Sequence, residues 1–461
     1  MLLRVAAMAT RAASIGQVLE LPIDGLSHDG QGVGRWRELV VFVPGALPGE
    51  QASVRVRRLA RRHIEADLIG VESPSAERRR PACILAERCG GCSLQHCSDD
   101  SQAEIKTDQV RQALRRLGGL DAVVEPIWRA EAPFGYRNRA LIPLERSDDG
   151  VLRAGYYRRG SHRIVNMNRC PVLDPRIDAL IAPLKADLEA SGWPVDVNLT
   201  AGGGLRHLAL RVGHHSGEVL ITLVSSHERL PGLAELAARW QERWPQLVGV
   251  GLNLQQKASN VVLGPVTHGI SGRPWLLERF GEIELRIGAD TFFQVNTPQA
   301  ERLLPLLEAF FQPGPSVPLL DAYCGIGTFS LPLAAAGSPV LGLELHACSV
   351  LQARANADRN GLELARFEEG DVAAVLAERL QGMAGLLVDP PRKGLSPDAL
   401  SAILVGRPPR LAYISCNPAT LARDLAVLCS PEGGYRLQRV QPVDFFPQTS
   451  HVEAVALLER V

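Results

Sequence analysis

The stretch that decides the fold is "LLDAYCGIGTFSLPLA", residues 319–334. An apolar run ends at Tyr323, glycines follow at Gly325 and Gly327, and a helical pattern begins after them. Glycines between a strand and a helix let a cofactor approach the backbone N–H groups at the start of the helix. The third glycine of the dinucleotide fingerprint is absent, which favours S-adenosylmethionine over NAD. The stretch therefore predicts an S-adenosylmethionine site at the end of a strand.

The neighbouring segments predict the rest of this domain. Apolar runs at 339–344, 385–390 and 411–415 alternate with polar, helix-like segments, a pattern typical of an α/β doubly wound parallel sheet. Glu344 ends the next run, nineteen residues after Gly325, where a carboxylate can accept both ribose hydroxyls of an adenosine. Asp371 follows a further run, where it could accept from the adenine amino group. A surface glutamate and a helix N-cap aspartate are the alternatives.

Two later motifs point to chemistry on a nucleobase. "VDPPRKG" (388–394) ends the fourth run, where methyltransferases with this sheet place an acidic residue and a proline against the base. Cys416 follows the next run in "SCNP" (415–418). Carbon 5 of uracil is a poor nucleophile until something adds to carbon 6, and a thiolate suits that addition. A buried structural cysteine is the alternative.

The reaction also needs a base, because carbon 5 keeps its proton after methyl transfer. Glu453, in the terminal segment "TSHVEAVALLER", is the first candidate, and His451 is its rival. A glutamate on the solvent face of a strand is the structural alternative.

The N-terminal region reads as five short strands separated by glycine turns within 14–72. This pattern predicts a small barrel, which either binds nucleic acid or serves as a packing module. Residues 54–62 hold five Arg and no acid, and residues 129–169 hold nine Arg against four acids. Both stretches are candidate phosphate contacts, with ordinary solvated arginines as the alternative.

A cysteine-rich segment follows the predicted barrel. "PACILAERCGGCSLQHC" (81–97) is followed downstream by a further cysteine before a proline in "NRCPVLD". The spacing is similar to iron–sulfur patterns without matching them, and a zinc tetrathiolate is equally open. Disulfides are unexpected in a cytosolic enzyme with nine cysteines.

The motifs together resemble the RNA uracil-C5 methyltransferase family. They are FFQVN (292–296), LDAYCGIG (320–327), DPPRKGL (389–395), SCNP (415–418) and HVEAV (451–455). The resemblance implies that Cys416 is the nucleophile and Glu453 the proton-removing base, and that an aromatic, Phe292, lies near a flipped uracil. The positions that it implies line the cofactor or the target base are Gln294, Tyr323, Thr328, Glu344, Asp371 and Asp389. Other members can carry Phe and Asn at the positions of Tyr323 and Thr328.

The resemblance extends to the N-terminal half. Members with a barrel resembling the TRAM module carry a [4Fe-4S] cluster on the positions that match Cys83, Cys89, Cys92 and Cys170, which leaves Cys97 as a bystander. Cluster and cofactor do not imply radical chemistry here, since C-x3-C-x2-C is absent. The domain order looks most like the bacterial 23S ribosomal RNA uracil-C5 methyltransferases of the RlmD type. The alternatives are transfer-RNA relatives, which generally lack barrel and cluster, and a non-catalytic RNA-binding iron–sulfur protein.

The length and composition of the chain limit the number and kind of its domains. With 461 residues and zero formal net charge, the chain predicts several domains, which we place at 14–73 (TRAM-like β-barrel), 74–285 (iron–sulfur-bearing α+β domain) and 286–461 (Rossmann-like methyltransferase domain). No apolar run reaches the roughly 18 residues that a membrane helix needs. We expect a cytoplasmic monomer that acts on 23S ribosomal RNA, with a disordered leader in which Met8 could be the true start.

Overall fold

The computed structural model describes residues 13–147, 149–200 and 202–461, so the expected leader with Met8 lies outside the described residues. The chain divides into two compact units. One contains residues 13–82, 92–105 and 448–450, and the other contains residues 83–91, 106–447 and 451–461.

The N-terminal barrel has five strands, β1 (Val18–Leu26), β2 (Gln31–Trp36), β3 (Leu39–Pro44), β4 (Gln51–Leu59) and β5 (His63–Ser73). The barrel is closed, and its strand order is β1-β2-β3-β5-β4. Alternate residues of β1, namely Leu19, Leu21 and Ile23, are buried in the interior, as the two-residue period of a strand requires. Glycine at position 34 permits a close approach of the strands, because a Cβ there would lie 2.5 Å from Pro22 C=O. The five predicted strands and the barrel are confirmed.

The arginine-rich strand β4 is only partly available for phosphate. Arg57 and Arg58 both donate to the Glu65 carboxylate of β5, at 3.0 and 2.9 Å. The sequence stretch 54–62 contains no acid, but the neighbouring strand supplies one. Two of its five arginines are therefore paired within the barrel.

A six-stranded sheet forms the centre of the middle region. The strands are β6 (Arg139–Arg146), β7 (Leu152–Ala154), β8 (Leu205–Val212), β9 (Val219–Ser225), β10 (Leu247–Leu254) and β11 (Val266–Gly272), and the helices are α1 (Asp99–Leu117), α2 (Pro175–Ala190) and α3 (Leu233–Arg243). The sheet order is β11-β10-β9-β8-β6-β7. Apolar residues of α2, α3 and the sheet share one core, which includes Leu184, Trp240 and Ile221. This is the mixed helix and strand composition expected of the region.

A hairpin of β12 (Trp275–Phe280) and β13 (Ile283–Gly288) precedes the C-terminal sheet. The domain boundary that we expect between 285 and 286 lies within β13. Phe280 and Leu285 of this hairpin are fully buried in the same core as Leu307 and Phe329. The hairpin is therefore part of the C-terminal core.

The C-terminal sheet has seven strands. They are β14 (Leu319–Ala322), β15 (Val340–Glu344), β16 (Ala365–Glu369), β17 (Gly385–Val388), β18 (Arg410–Ser415), β19 (Tyr435–Val443) and β20 (Glu453–Arg460), and the helices are α4 (Thr297–Glu301), α5 (Leu303–Phe311), α6 (Ser330–Ala335), α7 (Ala347–Arg359), α8 (Val372–Arg379), α9 (Pro397–Gly406) and α10 (Pro418–Leu428). The order is β16-β15-β14-β17-β18-β20-β19.

The order of these strands reverses between β14 and β17, and the predicted doubly wound arrangement is confirmed for β14 to β18, which run parallel. The last two strands differ, because β20 runs antiparallel to both β18 and β19. In open α/β sheets ligands bind outside the carboxyl ends of the strands at such a reversal. In the described part of the chain, no helix combines the length and the apolar character that crossing a membrane requires.

Candidate active site

Strand register brings Cys416 and Glu453 together. β18 ends at Ser415, which pairs with Ala454 of the antiparallel strand β20. Cys416 follows Ser415, and Glu453 precedes Ala454. Because the strands are antiparallel, Cys416 and Glu453 therefore lie at the same edge of the sheet. Glu453 is 7% exposed, and its carboxylate acts electrostatically on the Cys416 thiol. The two residues that the motifs predict for nucleophile and base share one site.

The residues on either side of Cys416 fix its backbone. The Ser415 hydroxyl accepts from Asn417 N–H and donates to Asn417 C=O, both at 3.2 Å. The Asn417 side chain accepts from Ala419 N–H at 3.1 Å and so caps α10, with Pro418 in the first turn. This is why a helix begins directly after the cysteine. Cys416 is held between a strand end and a helix start.

The loop after β17 brings Asp389 and Arg392 to the same place. Asn417 Nδ2 donates to Arg392 C=O at 3.0 Å, which ties this loop to the cysteine turn. Gln294 Nε2 lies 3.4 Å from Asp389 Oδ2. The Arg392 side chain interacts electrostatically with both Cys416 and Glu453. Arg392 lies within the quoted motif DPPRKGL, yet the sequence alone gives it no role.

Burial dominates the protonation of the site. It raises the pKa of the Cys416 thiol to about 11, Glu453 adds to that shift, and Arg392 opposes it. Burial likewise raises the pKa of the Glu453 carboxyl to about 8 and that of Asp389 to about 7. A carboxyl group whose pKa is near neutral can both take up and release a proton at working pH. The predicted role of Glu453 as a general base requires its deprotonated form, which is favoured as pH rises towards and above this pKa.

The glycine loop after β14 lies beside Glu344. Gly325 N–H donates to Glu344 Oε2 at 3.1 Å, and His346 N–H donates to Oε1 at 2.8 Å. Gly325 and Gly327 have φ of 57° and 85°, and Tyr323 adopts φ 70°, which side chains rarely allow. Two backbone donors thus hold the Glu344 carboxylate beside the glycine loop. Its contact with the ribose of S-adenosylmethionine stays a prediction.

The remaining predicted cofactor residues lie around this loop. Asp371 caps α8 by accepting from Ala373 N–H at 3.0 Å, so the N-cap alternative describes its geometry. The Asp371 carboxylate also acts on Tyr323, whose pKa is raised to about 12, chiefly by burial. Thr328 is 7% exposed. Contacts of these residues with a cofactor stay predictions.

The segment 289–297, which carries Phe292 and Gln294, is held by the middle sheet. Asn138 Nδ2 donates to Gln294 C=O at 2.9 Å and to Thr297 Oγ1 at 3.0 Å. Arg211 Nη2 donates to Thr291 C=O at 2.7 Å. Phe292 is 56% exposed, whereas Phe293 is only 3% exposed. An exposed aromatic ring on a fixed backbone is suited to stacking on a base.

The support of this segment includes an unusual pair of arginines. Arg139 of β6 and Arg211 of β8 lie directly opposite each other in the sheet. Burial lowers the pKa of both, to about 10 for Arg139, and Asp290 is a partial counter-charge to each. The charge of Arg137 adds to the shift of Arg139, and the charge of Arg139 adds to that of Arg211. Arg211 Nη1 is buried without a hydrogen-bond partner. Sequence reasoning missed these residues, because their contacts to Ala289 and Thr291 join positions far apart in the chain.

The cysteine-rich segment does not form a comparable site. Cys83, Cys89 and Cys170 belong to one unit of the chain and Cys92 to the other. Across residues 13–147, 149–200 and 202–461, no group of three or more His, Cys, Asp or Glu side chains is arranged to hold a metal ion. Leu85 N–H approaches Cys83 Sγ, and Gly91 N–H approaches Cys89 Sγ, each at 3.4 Å. The described residues therefore give no support to the [4Fe-4S] cluster that the resemblance implies, and the cluster stays a prediction.

His451 differs from Glu453 in its surroundings. Its side chain is exposed, and its ring lies against Phe446 with the centroids 6.0 Å apart. Glu453 is buried beside the cysteine instead. The arrangement favours Glu453 over His451 as the base, although it tests neither role.

Comparison with known proteins assigns the chain to a family. The family model for tRNA (Uracil-5-)-methyltransferase matches residues 279–461, and the TRAM domain model matches residues 12–69. An uncharacterized RNA methyltransferase of Parasynechococcus marenigrum is 51% identical over 97% of this chain and 96% of its own length. The chain belongs to the RNA uracil-5-methyltransferase family. A second family member, from Synechocystis, is 45% identical over 97% of this chain and 96% of its own length.

A solved structure also matches this family member over nearly its whole length. It is the tRNA (uracil-54, C5)-methyltransferase of Pyrococcus abyssi in complex with S-adenosyl-L-homocysteine, with a TM-score of 0.76 and 28% identity. The match covers 95% of this chain and all of the other. A tRNA enzyme therefore shares the overall architecture, so the domain order does not by itself exclude tRNA as a substrate.

Proposed function

We propose that this enzyme transfers a methyl group from S-adenosylmethionine to carbon 5 of a specific uridine in 23S ribosomal RNA through a covalent bond between Cys416 and carbon 6. The observation that carries the proposal is the register of β18 and β20, which places Cys416 and the buried Glu453 at one edge of the sheet. The proposed reaction needs a thiol nucleophile and a carboxylate base within one site.

The chain's own residues divide the reaction between them. The Cys416 sulfur adds to carbon 6, which makes carbon 5 nucleophilic. S-adenosylmethionine supplies the methyl group, and Gly325 and Glu344 are the residues that would hold its adenosine part. The Glu453 carboxylate then takes the proton from carbon 5, the electron pair restores the C5–C6 double bond, and the Cys416 sulfur leaves. Arg392 opposes the rise in the thiol pKa and so favours the thiolate.

The choice of 23S ribosomal RNA rests on the resemblance to the RlmD type. Transfer RNA is the second candidate, and the full-length similarity to a tRNA (uracil-54, C5)-methyltransferase favours it. Neither the barrel nor the catalytic motifs separate the two targets, since recognition depends on RNA shape and on contacts outside the short motifs.

The test uses purified full-length enzyme with isotope-labelled S-adenosylmethionine. Unmodified 23S ribosomal RNA and unmodified transfer RNA are offered separately, and the methylated nucleoside is identified by mass spectrometry. We expect 5-methyluridine at one position of 23S ribosomal RNA. If only transfer RNA were methylated, transfer RNA would replace 23S ribosomal RNA as the proposed substrate. If 5-methyluridine appeared in neither RNA, the proposed reaction would be overturned.

The [4Fe-4S] cluster stays a prediction from the resemblance. The described residues present no metal-binding group, and no step of the proposed reaction passes through a cluster. Iron and zinc analysis of anaerobically purified protein tests it directly.

A further inference from the structure

Three of the nine arginines in the stretch 129–169, namely Arg137, Arg139 and Arg146, donate to backbone carbonyl groups within the protein. Arg158 and Arg163 are exposed, and among the described residues neither side chain makes a hydrogen bond or an ion pair. Arg153 and Arg169 are exposed as well, but Arg158 and Arg163 lie together at one place.

That place is the end of a hairpin, residues 155–165, which we call the arginine hairpin. Tyr157 pairs with Ile164, and Arg158 N–H donates to Arg163 C=O at 2.8 Å. This pairing puts Arg158 and Arg163 opposite each other. Gly155 keeps the two strands close, because a Cβ there would lie 1.9 Å from Val165 C=O. The hairpin is a defined element, and its end carries two facing guanidinium groups.

Facing like charges cost stability in a hairpin unless something neutralises them. In the barrel, by contrast, Arg57 and Arg58 are paired across strands with the acid Glu65. At the hairpin end no acidic side chain of the described chain does this. The missing counter-charge points to an anion supplied by a partner.

Aromatic rings accompany these charges. The Tyr157 and His162 rings meet edge to face with their centroids 5.5 Å apart, and His162 is exposed. Guanidinium groups suit phosphate oxygens, and flat rings suit unpaired bases, so charges and rings together favour RNA over an acidic protein surface.

The hairpin is also braced from the side. Gly90 N–H donates to Tyr157 C=O at 2.9 Å, and Cys89 pairs with Arg158 through the backbone. A Cβ on Gly90 would lie 2.9 Å from Tyr157 C=O, so glycine permits this close approach. The loop that bears Cys83 and Cys89 thereby contacts and supports the arginine hairpin.

We propose that the arginine hairpin is a phosphate-contact surface for the RNA substrate, with Arg158 and Arg163 as its ligands to the backbone and His162 as a stacking ring. The inference rests on the proposed function only in taking the substrate to be RNA. It assigns a role to Arg158 and Arg163, which take no part in the catalytic site.

The test compares two double variants of the full-length enzyme that lose the same charge. Arg158→Gln with Arg163→Gln removes the hairpin ligands. Arg229→Gln with Arg239→Gln removes two exposed arginines elsewhere in the same region, for which the described residues show no ion pair. Affinity for 23S ribosomal RNA and for transfer RNA is measured by filter binding over a series of KCl concentrations, together with affinity for S-adenosylmethionine.

For the hairpin variant we expect binding about tenfold weaker at low salt and a salt slope smaller by roughly 1.4 to 1.8, the value for two phosphate contacts. The control variant should keep the wild-type slope, and both variants should bind S-adenosylmethionine normally. An unchanged slope in the hairpin variant, or an equal change in the control, would overturn the inference and leave an acidic protein as the partner. If the enzyme methylated neither RNA but the hairpin variant still showed a reduced salt slope, the proposed target would be rejected. The arginine hairpin would remain assigned as a phosphate-contact surface.

Discussion

The sequence marks two regions with functional cysteines, namely the turn that contains Cys416 and the segment 83–97. The structure places very different side chains around them. Around Cys416, three neighbouring strand ends bring together Glu453, Asp389 and Arg392. Around the segment, the described chain shows no group of metal ligands. A motif on a regular sheet predicts its neighbours, because strand order and register place them.

A cysteine spacing in a loop has no such support. The resemblance that names Cys83, Cys89, Cys92 and Cys170 supplies a ligand set, whereas the backbone of 83–91 is set by its contacts with the arginine hairpin. The difference teaches that the catalytic assignment and the cluster assignment rest on different kinds of evidence. The following predictions test that difference.

The largest effect should come from Cys416→Ala. Methyl transfer should fall by roughly 10³-fold or more, because no adduct can form, while S-adenosylmethionine binding stays normal. Cys429→Ala is the matched control, since burial raises the pKa of that thiol to about 11 as well, but without a carboxylate base beside it. A single-turnover methylation assay measures both. Equal losses in the two variants would remove the special status of Cys416.

The pH dependence should be the next largest effect. Glu453 acts as the carboxylate, and burial raises its pKa to about 8, so the active fraction falls about tenfold per pH unit below that value. The raised pKa of Cys416 works in the same direction, because a higher pH yields more thiolate. Release of tritium from carbon 5 of labelled RNA should therefore rise steeply from pH 6 to 8. A flat profile over this range contradicts the assignment of the base.

Arg211→Met should lower methyl transfer by about tenfold with little change in thermal stability. The variant loses the donor to Thr291 C=O, which loosens the segment with Phe292 and Gln294, but it also removes a buried charge that faces Arg139. Arg206→Met is the control, because Arg206 is equally buried and donates to carbonyl groups of other loops. It should lose stability and keep the rate of the chemical step.

If Arg211→Met instead lost thermal stability and kept the methyl-transfer rate, while Arg206→Met lost the rate, Arg211 would be an ordinary structural residue. Thermal unfolding and single-turnover rates at saturating RNA separate the two outcomes, since a purely structural role moves the first and leaves the second unchanged.

The smallest effect on chemistry should come from Cys83→Ser with Cys89→Ser. If the cysteine segment supports RNA contacts and takes no part in the reaction, the single-turnover rate at saturating RNA should change less than about threefold, with any loss confined to RNA affinity. Metal content is measured on the same preparations. A loss as large as that of Cys416→Ala would erase the contrast between the two regions.

The sequence predicts much of the fold and the centre of the site. Glycines, apolar runs and turn residues indicate the barrel and the parallel sheet, and the motifs indicate Cys416 and Glu453. The supporting residues could not be found in this way, because Asn138 and Arg211 contact the segment 289–297 across long stretches of chain. The pairing of Arg57 with Glu65 likewise depends on which strands are neighbours, which a count of local charge does not reveal.

The most direct test of the account is the fate of the covalent intermediate in Glu453→Gln. The substitution keeps the size of the side chain but removes the acceptor for the carbon 5 proton. With S-adenosylmethionine and substrate RNA, we predict an enzyme–RNA species that survives denaturing electrophoresis and is heavier than the simple adduct by one methyl group, whereas His451→Ala should turn over normally. Normal turnover by Glu453→Gln, with the adduct accumulating in His451→Ala instead, would contradict the account and assign the base to His451.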